Sequence, residues 1–390
     1  MAIEKKFKVS AIVPLFNGEQ FISESIESLL SQTCPIDEII VIDDKSTDQG
    51  LEIVRKLIET NQTVKLLRNP SNKGSSHCRN LGIKESSGDY ILFLDQDDYL
   101  GSNYLEEISN HLMKHSVKET AGVHSSYFIV DENNDKTSEI SYEEINSEEF
   151  LGYQFVRNRI LSNSGTIIKK SILDQTGLYD ESLKFSQDWD LWLRIGKIEA
   201  ISYLKKPLTF IRRHSNNTSK KIEGFLNDER TILQKYDLDF IKESINRRKV
   251  TKYENEIAFL SILFRLGTRS RLMQELENIK DVESSQLDHH FYYGLVHFDD
   301  SNWEESIRAF SKIKPDSNYY LSAQNNLGAL YILTKKWALA RTTLTMILRE
   351  KPDYLDAINN NKLANEVSEK NDCFPAITKR PLRETLYSYT

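Results

Sequence analysis

Gly88-Asp89-Tyr90-Ile91-Leu92-Phe93-Leu94-Asp95-Gln96-Asp97-Asp98 is an apolar run that stops abruptly in carboxylates. Five uninterrupted apolar side chains, Tyr90 to Leu94, predict a buried strand. Three acids at its C-terminal end repel one another unless positive charge sits among them. A hard divalent cation bridging a diphosphate fits, because carboxylate and phosphate oxygens are the ligands Mg²⁺ prefers. In an open α/β sheet, ligands bind just beyond the carboxyl ends of the strands. The stretch therefore predicts a chain that handles a metal-chelated nucleotide.

Upstream, strand-like and helix-like segments alternate. Residues 9–14 are rich in Val and Ile and lead to an Asn17-Gly18 turn, after which Phe21, Ile22, Ile26, Leu29 and Leu30 fall on one helical face. Residues 38–43 form a second strand ending in Asp43-Asp44, and Ser46-Thr47-Asp48 offers a cap to the helix carrying Leu51, Val54, Leu57 and Ile58. A third strand at 64–67 and a helix around 80–83 precede Tyr90. Such alternation predicts an α/β fold with a mostly parallel, doubly wound sheet. Residues 123–130 and 165–168 read as further strands, and the acid- and Asn-rich stretch between 131 and 149 as a solvated loop and helix face.

After about residue 221 helical periodicity takes over, and a repeat emerges. Gly294 and Gly328 are 34 residues apart, as are Trp303 and Trp337. That is the period of the tetratricopeptide helix pair. The copy with Leu327-Gly328, Tyr331, Ala340, Leu344 and Pro352 fits its pattern; the copy with Tyr293-Gly294, Phe310 and Pro315 is degenerate. Residues 257–266 and 272–279 suggest a partial repeat, and 356–368 a closing helix. The expected organisation is an α/β domain over 1–220, a helical linker or partial repeat over 221–280, tetratricopeptide-like repeats over 281–370, and a loosely ordered tail over 371–390.

The chain has 390 residues, 39% of them hydrophobic and 28% charged, and a net charge of −7. That sign disfavours nucleic acid or an anionic membrane as the main partner, although Lys205, Lys206, Arg212, Arg213, Lys220 and Lys221 form a local basic cluster. Cys34, Cys78 and Cys373 have no disulfide or zinc spacing, which suits a reducing compartment. The N-terminus lacks a signal-peptide core, and no apolar run approaches the ~20 residues of a membrane span. The expected location is cytoplasmic, with peripheral attachment at the inner face of the membrane left open. His111 and His115 lack the Glu of a His-Glu-x-x-His site and read as an exposed helix face.

Five ordered segments carry more specific information. They are residues 9–17 (VSAIVPLFN), 38–48 (EIIVIDDKSTD), Asn72-Lys73-Gly74 leading to Arg79-Asn80, Asp95-Gln96-Asp97-Asp98, and Asp188-Trp189-Asp190-Leu191-Trp192-Leu193-Arg194. Together they resemble the family 2 glycosyltransferases, inverting enzymes of GT-A fold, over roughly residues 8–219. The resemblance implies a Rossmann-like GT-A domain followed by the helical repeats. It also implies a nucleotide-sugar donor, UDP-linked by expectation, bound by Pro14, Asp44, Lys73, Arg79, Asp95 and Gln96. In that family the second Asp of the Asp43-Asp44 pair reads uracil. Asp97 would ligate Mn²⁺ or Mg²⁺, Asp95 would meet ribose or the metal's water shell, and His214 would complete the metal shell or meet the diphosphate. Asp188 would be the base that deprotonates the acceptor hydroxyl, although Gln187 stands where the family usually has Glu. Trp189 and Trp192 could wall the sugar site or simply pack the core.

The acceptor stays open among glycan, lipid-linked and protein hydroxyls, and the repeats could bind a protein partner or a second copy. Two rivals remain. A sugar nucleotidyltransferase should carry a Gly-rich basic loop after the first strand, which Pro14-Leu15-Phe16-Asn17-Gly18 does not supply. A helical-repeat scaffold with a vestigial nucleotide-sugar domain is opposed by the intact Asp44, Asp95, Asp97 and Asp188.

Overall fold

The computed structural model describes residues 7–114, 120–214, 222–279, 287–366 and 374–380. His115, Lys220, Lys221 and Cys373 lie outside the described residues. The chain divides into two compact units, Met1–Lys249 and Val250–Thr390.

The first unit runs β1 (Val9–Leu15), α1 (Ile22–Leu30), β2 (Glu38–Asp43), α2 (Gly50–Thr60), β3 (Val64–Arg68), α3 (Ser75–Glu85), β4 (Tyr90–Phe93), β5 (Tyr99–Leu100), α4 (Tyr104–Lys114), β6 (Gly122–Val130), β7 (Lys136–Ile140), α5 (Ser147–Val156), β8 (Thr166–Lys169), α6 (Lys170–Thr176), α7 (Gln187–Gly196), β9 (Ile201–Arg212), α8 (Ile222–Leu233) and α9 (Leu238–Asn246). One sheet orders its strands β3-β2-β1-β4-β8-β6-β9-β5, with β7 on β6. The expected parallel order holds for β3-β2-β1-β4. Beyond β4 the sheet turns mixed: β8 is antiparallel to both β4 and β6, whereas β9 is parallel to β6.

Side chains alternate across this sheet with the strand period of two. Ala11, Val13, Val41 and Leu92 face a core filled by Ile22, Ile26 and Leu29 of α1 and Leu105 and Ile108 of α4. Ile12, Ile40, Ile42, Ile91 and Phe93 face the opposite core, built with Cys78 and Ile83 of α3 and Leu191, Trp192 and Ile195 of α7. Pro14 does not end β1, which continues to Leu15. Its missing N–H costs nothing there, because β4 pairs β1 only as far as Ile12.

Several expectations are corrected. The acid-rich stretch contains β7, a hairpin partner of β6, and Glu149 is buried, with Oε1 accepting the Lys249 N–H at 2.5 Å. The first unit passes residue 220 and takes in α8 and α9, because Gly152 of α5 lets the backbone of Ser244 on α9 approach closely. The basic cluster is dispersed into ion pairs, Lys205 with Glu143, Lys206 with Glu107 and buried Arg212 with Glu24. His111 is buried and meets Ser202 Oγ at 3.1 Å.

The second unit holds α10 (Lys252–Leu266), α11 (Arg269–Ile279), α12 (His289–Asp299), α13 (Trp303–Phe310), α14 (Tyr320–Leu333), α15 (Trp337–Glu350) and α16 (Leu355–Asn365). The 34-residue spacing is physical. A Cβ at Gly294 would meet Phe310 at 2.6 Å, and one at Gly328 would meet Leu344 at 2.7 Å, so each pair closes on a glycine. Ser301 and Lys335, also 34 apart, both turn with positive φ between paired helices. Among the described residues no helix is long and apolar enough to cross a membrane.

Gly165 connects the 158–164 loop to β8 at φ +69°, and a Cβ there would strike Thr209 Oγ1. A left-handed Ala costs about 1–2 kcal/mol and overpacking about 1–3 kcal/mol. Gly165→Ala should therefore lose roughly 2–5 kcal/mol, read as a lowered urea midpoint at unchanged slope.

Candidate active site

Beyond β4 the chain does not stay extended. Asp98 N–H bonds back to the Asp95 carbonyl at 3.1 Å, closing a turn over the acids. Alternate residues of an extended strand would face one point; in a turn they diverge. Asp95 Oδ1 accepts from Arg79 Nη2 of α3 at 2.5 Å. Asp97 Oδ2 lies 2.9 Å from His214 Nε2, at the end of β9. Asp98 points inward, accepting the Arg212 N–H at 2.8 Å and the Ser164 hydroxyl at 2.5 Å. Burial, then the charges of Asp97 and Asp95, push the Asp98 carboxyl well above the usual range.

Arg212 sets the position of His214. Its guanidinium is buried, donates from Nε to the Asp97 carbonyl at 3.0 Å, and lies over the Phe21 ring at 4.4 Å. Phe21 in turn contacts the His214 ring, centroids 5.4 Å apart.

Two residues expected to contact the nucleotide make hydrogen bonds within the protein. The Asp44 carboxylate is buried and accepts from Asn69 Nδ2 at 2.8 Å, Lys73 N at 2.9 Å and Gly74 N at 2.7 Å. It holds the loop entering α3. Gln96 pairs both ends of its amide with Phe16, Oε1 accepting from N at 2.7 Å and Nε2 donating to O at 3.1 Å. It ties the turn after β4 to the loop after β1. The Lys73 side chain is exposed and Pro14 half-buried. Asp43, fully buried, pairs with Arg68 at 2.9 Å and accepts the Ser46 N–H.

Asp188 occupies the first turn of α7. Its Oδ1 accepts the Trp189 N–H at 2.8 Å and its Oδ2 the Asn158 Nδ2 at 3.4 Å. Desolvation raises its carboxyl to about 6, against the opposing pulls of the Trp189 N–H and the Arg79 charge. Arg79 is buried, feels both Asp95 and Asp188, and its Nε and Nη1 have no acceptor. Trp189 and Trp192 are both core residues, the former donating Nε1 to the Gln154 carbonyl at 2.8 Å, so neither walls a sugar site.

The supporting contacts escaped sequence reading, although Asn80 itself stands in one of the quoted segments. Asn80, beside Arg79 on α3, pairs with the backbone of Tyr179 in both directions, at 2.8 and 2.9 Å. Tyr179 lies under the Arg79 guanidinium at 5.5 Å. Asp228 of α8 accepts three successive N–H groups, Lys184, Phe185 and Ser186, just before α7. Nothing in the sequence around Asp228 marks it, because its partners are main-chain atoms about 42 residues away. Arg157 and Arg159 flank Asn158. Arg157 Nε is buried without an acceptor, and Arg159 lies between the rings of Tyr142 and Tyr153 at 5.0 and 4.8 Å.

Residues 10–177 match the family model described as "Glycosyl transferase family 2". The chain carries a family 2 glycosyltransferase domain. A curated relative from Haemophilus influenzae, "Uncharacterized glycosyltransferase", is 38% identical over 114 residues, 29% of this chain and 46% of the relative. A "Poly(ribitol-phosphate) beta-glucosyltransferase" from Bacillus spizizenii is 43% identical over 101 residues, 25% of this chain and 16% of that protein. The chain spans 31–46% of the length of four curated bacterial relatives it matches. In fold the chain is similar to the crystal structure of S. aureus TarS residues 1–349 in complex with UDP-GlcNAc. The TM-score is 0.51 at 20% identity, over 86% of this chain and 90% of that one.

In this glycosyltransferase domain no three His, Cys, Asp or Glu side chains converge as a ready-made metal cage among the described residues. The pair that does meet fits an ion completed by its ligand. Cis ligands about 2.1 Å from an octahedral ion lie about 3 Å apart, and Mg²⁺ characteristically uses one or two carboxylates plus substrate phosphates. The 2.9 Å between Asp97 Oδ2 and His214 Nε2 matches that spacing. Asp95, turned to Arg79, is not part of the pair.

Titration of the Asp188 carboxyl by ¹³C NMR should give a midpoint near 6. Arg79→Met removes a charge that favours the ionised form, so the midpoint should rise by roughly half a unit or more. A midpoint near 4 in the parent protein would contradict the buried setting.

Proposed function

We propose that the first unit transfers a hexosyl group, with inversion, from a UDP-sugar to an acceptor hydroxyl. One observation carries this reading: the buried Arg79 guanidinium acts on Asp95, at the acidic end of β4, and on Asp188, at the start of α7. One buried cation within electrostatic reach of both groups supports placing the donor's diphosphate and the base on the same side of the sheet. The resemblance of the segments around Asp44, Asp97 and Asp188 to the family supports the chemistry. The glucosyltransferase name of the Bacillus relative and the UDP-GlcNAc complex of TarS agree with a UDP-linked donor.

Asp97 and His214 would hold Mn²⁺ or Mg²⁺, which supplies charge neutralisation for a departing diphosphate. Arg79 would offer Nε and Nη1 to the same negative charge. Asp188, ionised above pH 6, takes the proton of the acceptor hydroxyl as that oxygen bonds to the anomeric carbon and the carbon–diphosphate bond breaks. Trp189 N–H and Asn158 orient its two oxygens, and Asp228 fixes the backbone entering its helix. Arg157 and Arg159, two cations beside Asn158, favour an acceptor that bears phosphate or carboxylate. The 34-residue helix pairs of the second unit support a tetratricopeptide-like reading of that region.

Product formation from a panel of UDP-sugars, with neutral and phosphate-bearing polyol acceptors and Mn²⁺, tests the proposal. Asp188→Asn should lower kcat by about 10²–10⁴-fold while UDP binding persists. Turnover within threefold of the parent would remove Asp188 from the role.

Because the base must be ionised, kcat/KM should fall tenfold per pH unit below a midpoint near 6 and level off above it. A flat profile between pH 4.5 and 7.5 would overturn the assignment.

A further inference from the structure

A cavity of about 550 Å³, partly open to solvent, lies between the starts of β6 and β9, the segment 142–147 that enters α5, and Arg159. Small-molecule sites occupy roughly 300–1,000 Å³. Asp95, Asp97, Asp188 and His214 are not among its walls.

Most polar groups of the wall are already committed. Thr120 donates its hydroxyl to the Gly122 carbonyl at 2.6 Å, and Ser202 donates to the same carbonyl at 3.2 Å. The Tyr203 hydroxyl meets Ser126 Oγ at 2.5 Å and accepts the Tyr142 N–H at 2.8 Å. His124 of β6 is different. It is only 8% exposed and packs on the Tyr203 ring, centroids 4.9 Å apart, yet its ring nitrogens have no hydrogen-bond partner among the described residues. Burial, then the Arg159 charge, push this imidazole down to about 3, so it is neutral at physiological pH.

Arg159 is the second uncommitted group. Its Nη2 donates to the Glu143 carbonyl at 2.9 Å, while Nε and Nη1 have no acceptor among the described residues. Burial holds its pKa below the ordinary value, the sign of a cation short of negative partners. Two acids stand at the exposed mouth. Glu143 is paired with Lys205 at 3.0 Å, which leaves Glu144 open to hydroxyl donors. An anion inside would meet a guanidinium and a neutral imidazole on different walls. The three terminal oxygens of a phosphomonoester can accept from both directions, whereas the two oxygens of a carboxylate share one plane.

We propose that this cavity binds a small phosphomonoester of a sugar or polyol, its phosphate on Arg159 and His124 and its hydroxylated body against Phe150, Tyr203 and Glu144. The site shares Arg159 with the acceptor reading above but requires no transfer reaction. Because Arg159 follows Asn158, whose amide meets Asp188, an occupant lies next to the segment that orients the base candidate.

The test is isothermal titration calorimetry of the full chain, without donor or metal, using glucose 6-phosphate and glycerol 3-phosphate. Nitrogen NMR of the histidine rings is the second readout. At least one phosphate should bind roughly tenfold or more tightly than glucose or gluconate, and the His124 resonance should shift on binding. Arg159→Met should weaken that binding roughly tenfold or more, and His124→Phe about fivefold. Arg157→Met, which alters a cation outside the cavity wall, should change it less than about twofold. Arg159→Met keeps an unbranched stem between the Tyr142 and Tyr153 rings and serves if the His124 variant fails to fold. Absence of saturable binding at millimolar concentrations of both phosphates would overturn the proposal. So would Arg157→Met weakening binding as much as Arg159→Met while the His124 resonance stays unmoved. An inactive transfer assay leaves these measurements untouched, so the two readings fail separately.

Discussion

The first unit is organised around one buried cation. Arg79 sits on the sheet-facing side of α3, stripped of water, and such a charge is tolerable only beside fixed negative groups. Asp95 provides a direct partner and Asp188 acts at longer range. Because α3 packs on β1 and β2 while Asp188 rides on α7, meeting Arg79's charge ties the nucleotide-type half of the sheet to the helix that carries the base candidate. Burial alone would leave Asp188 harder to ionise, and Arg79 moderates that effect.

Around this centre, acids that look like ligands in one dimension divide into two populations. Asp43, Asp44, Asp98 and Asp228 are consumed by backbone N–H groups, a hydroxyl or a cation of the protein itself. They shape loops. Asp97 alone of the strand-end acids pairs with an imidazole at ligand-like spacing. The division follows the turn at 95–98, which sends neighbouring carboxylates in different directions. Gln96 belongs to the first population, since its amide closes the gap between the loops after β1 and β4.

The second unit uses polarity differently. Its helix pairs close on Gly294 and Gly328, an apolar device repeated at fixed spacing, whereas α14 and α16 turn a row of buried amides toward a single extended segment. That segment, residues 374–380, is met largely through its main-chain N–H and C=O groups.

Local sequence determined much of this protein. Largely apolar runs marked β1, β2 and β4, strands buried on both faces in which the few polar residues, Ser10, Glu38 and Asp43, are hydrogen-bonded or ion-paired, and paired Gly and Trp spacings revealed the helix pairs. Family-like segments singled out Arg79, Asp97 and Asp188 as candidates. Tertiary structure decided what each acid does, because a carboxylate reads the same in sequence whether it meets an imidazole or a backbone amide. It alone produced β7, which is too polar to announce itself, the inclusion of α8 and α9 in the first unit, and the Asp228 contact. It also turned the tail into a bound strand. Those features depend on atoms tens to hundreds of residues apart, and only folding brings such atoms within hydrogen-bonding distance.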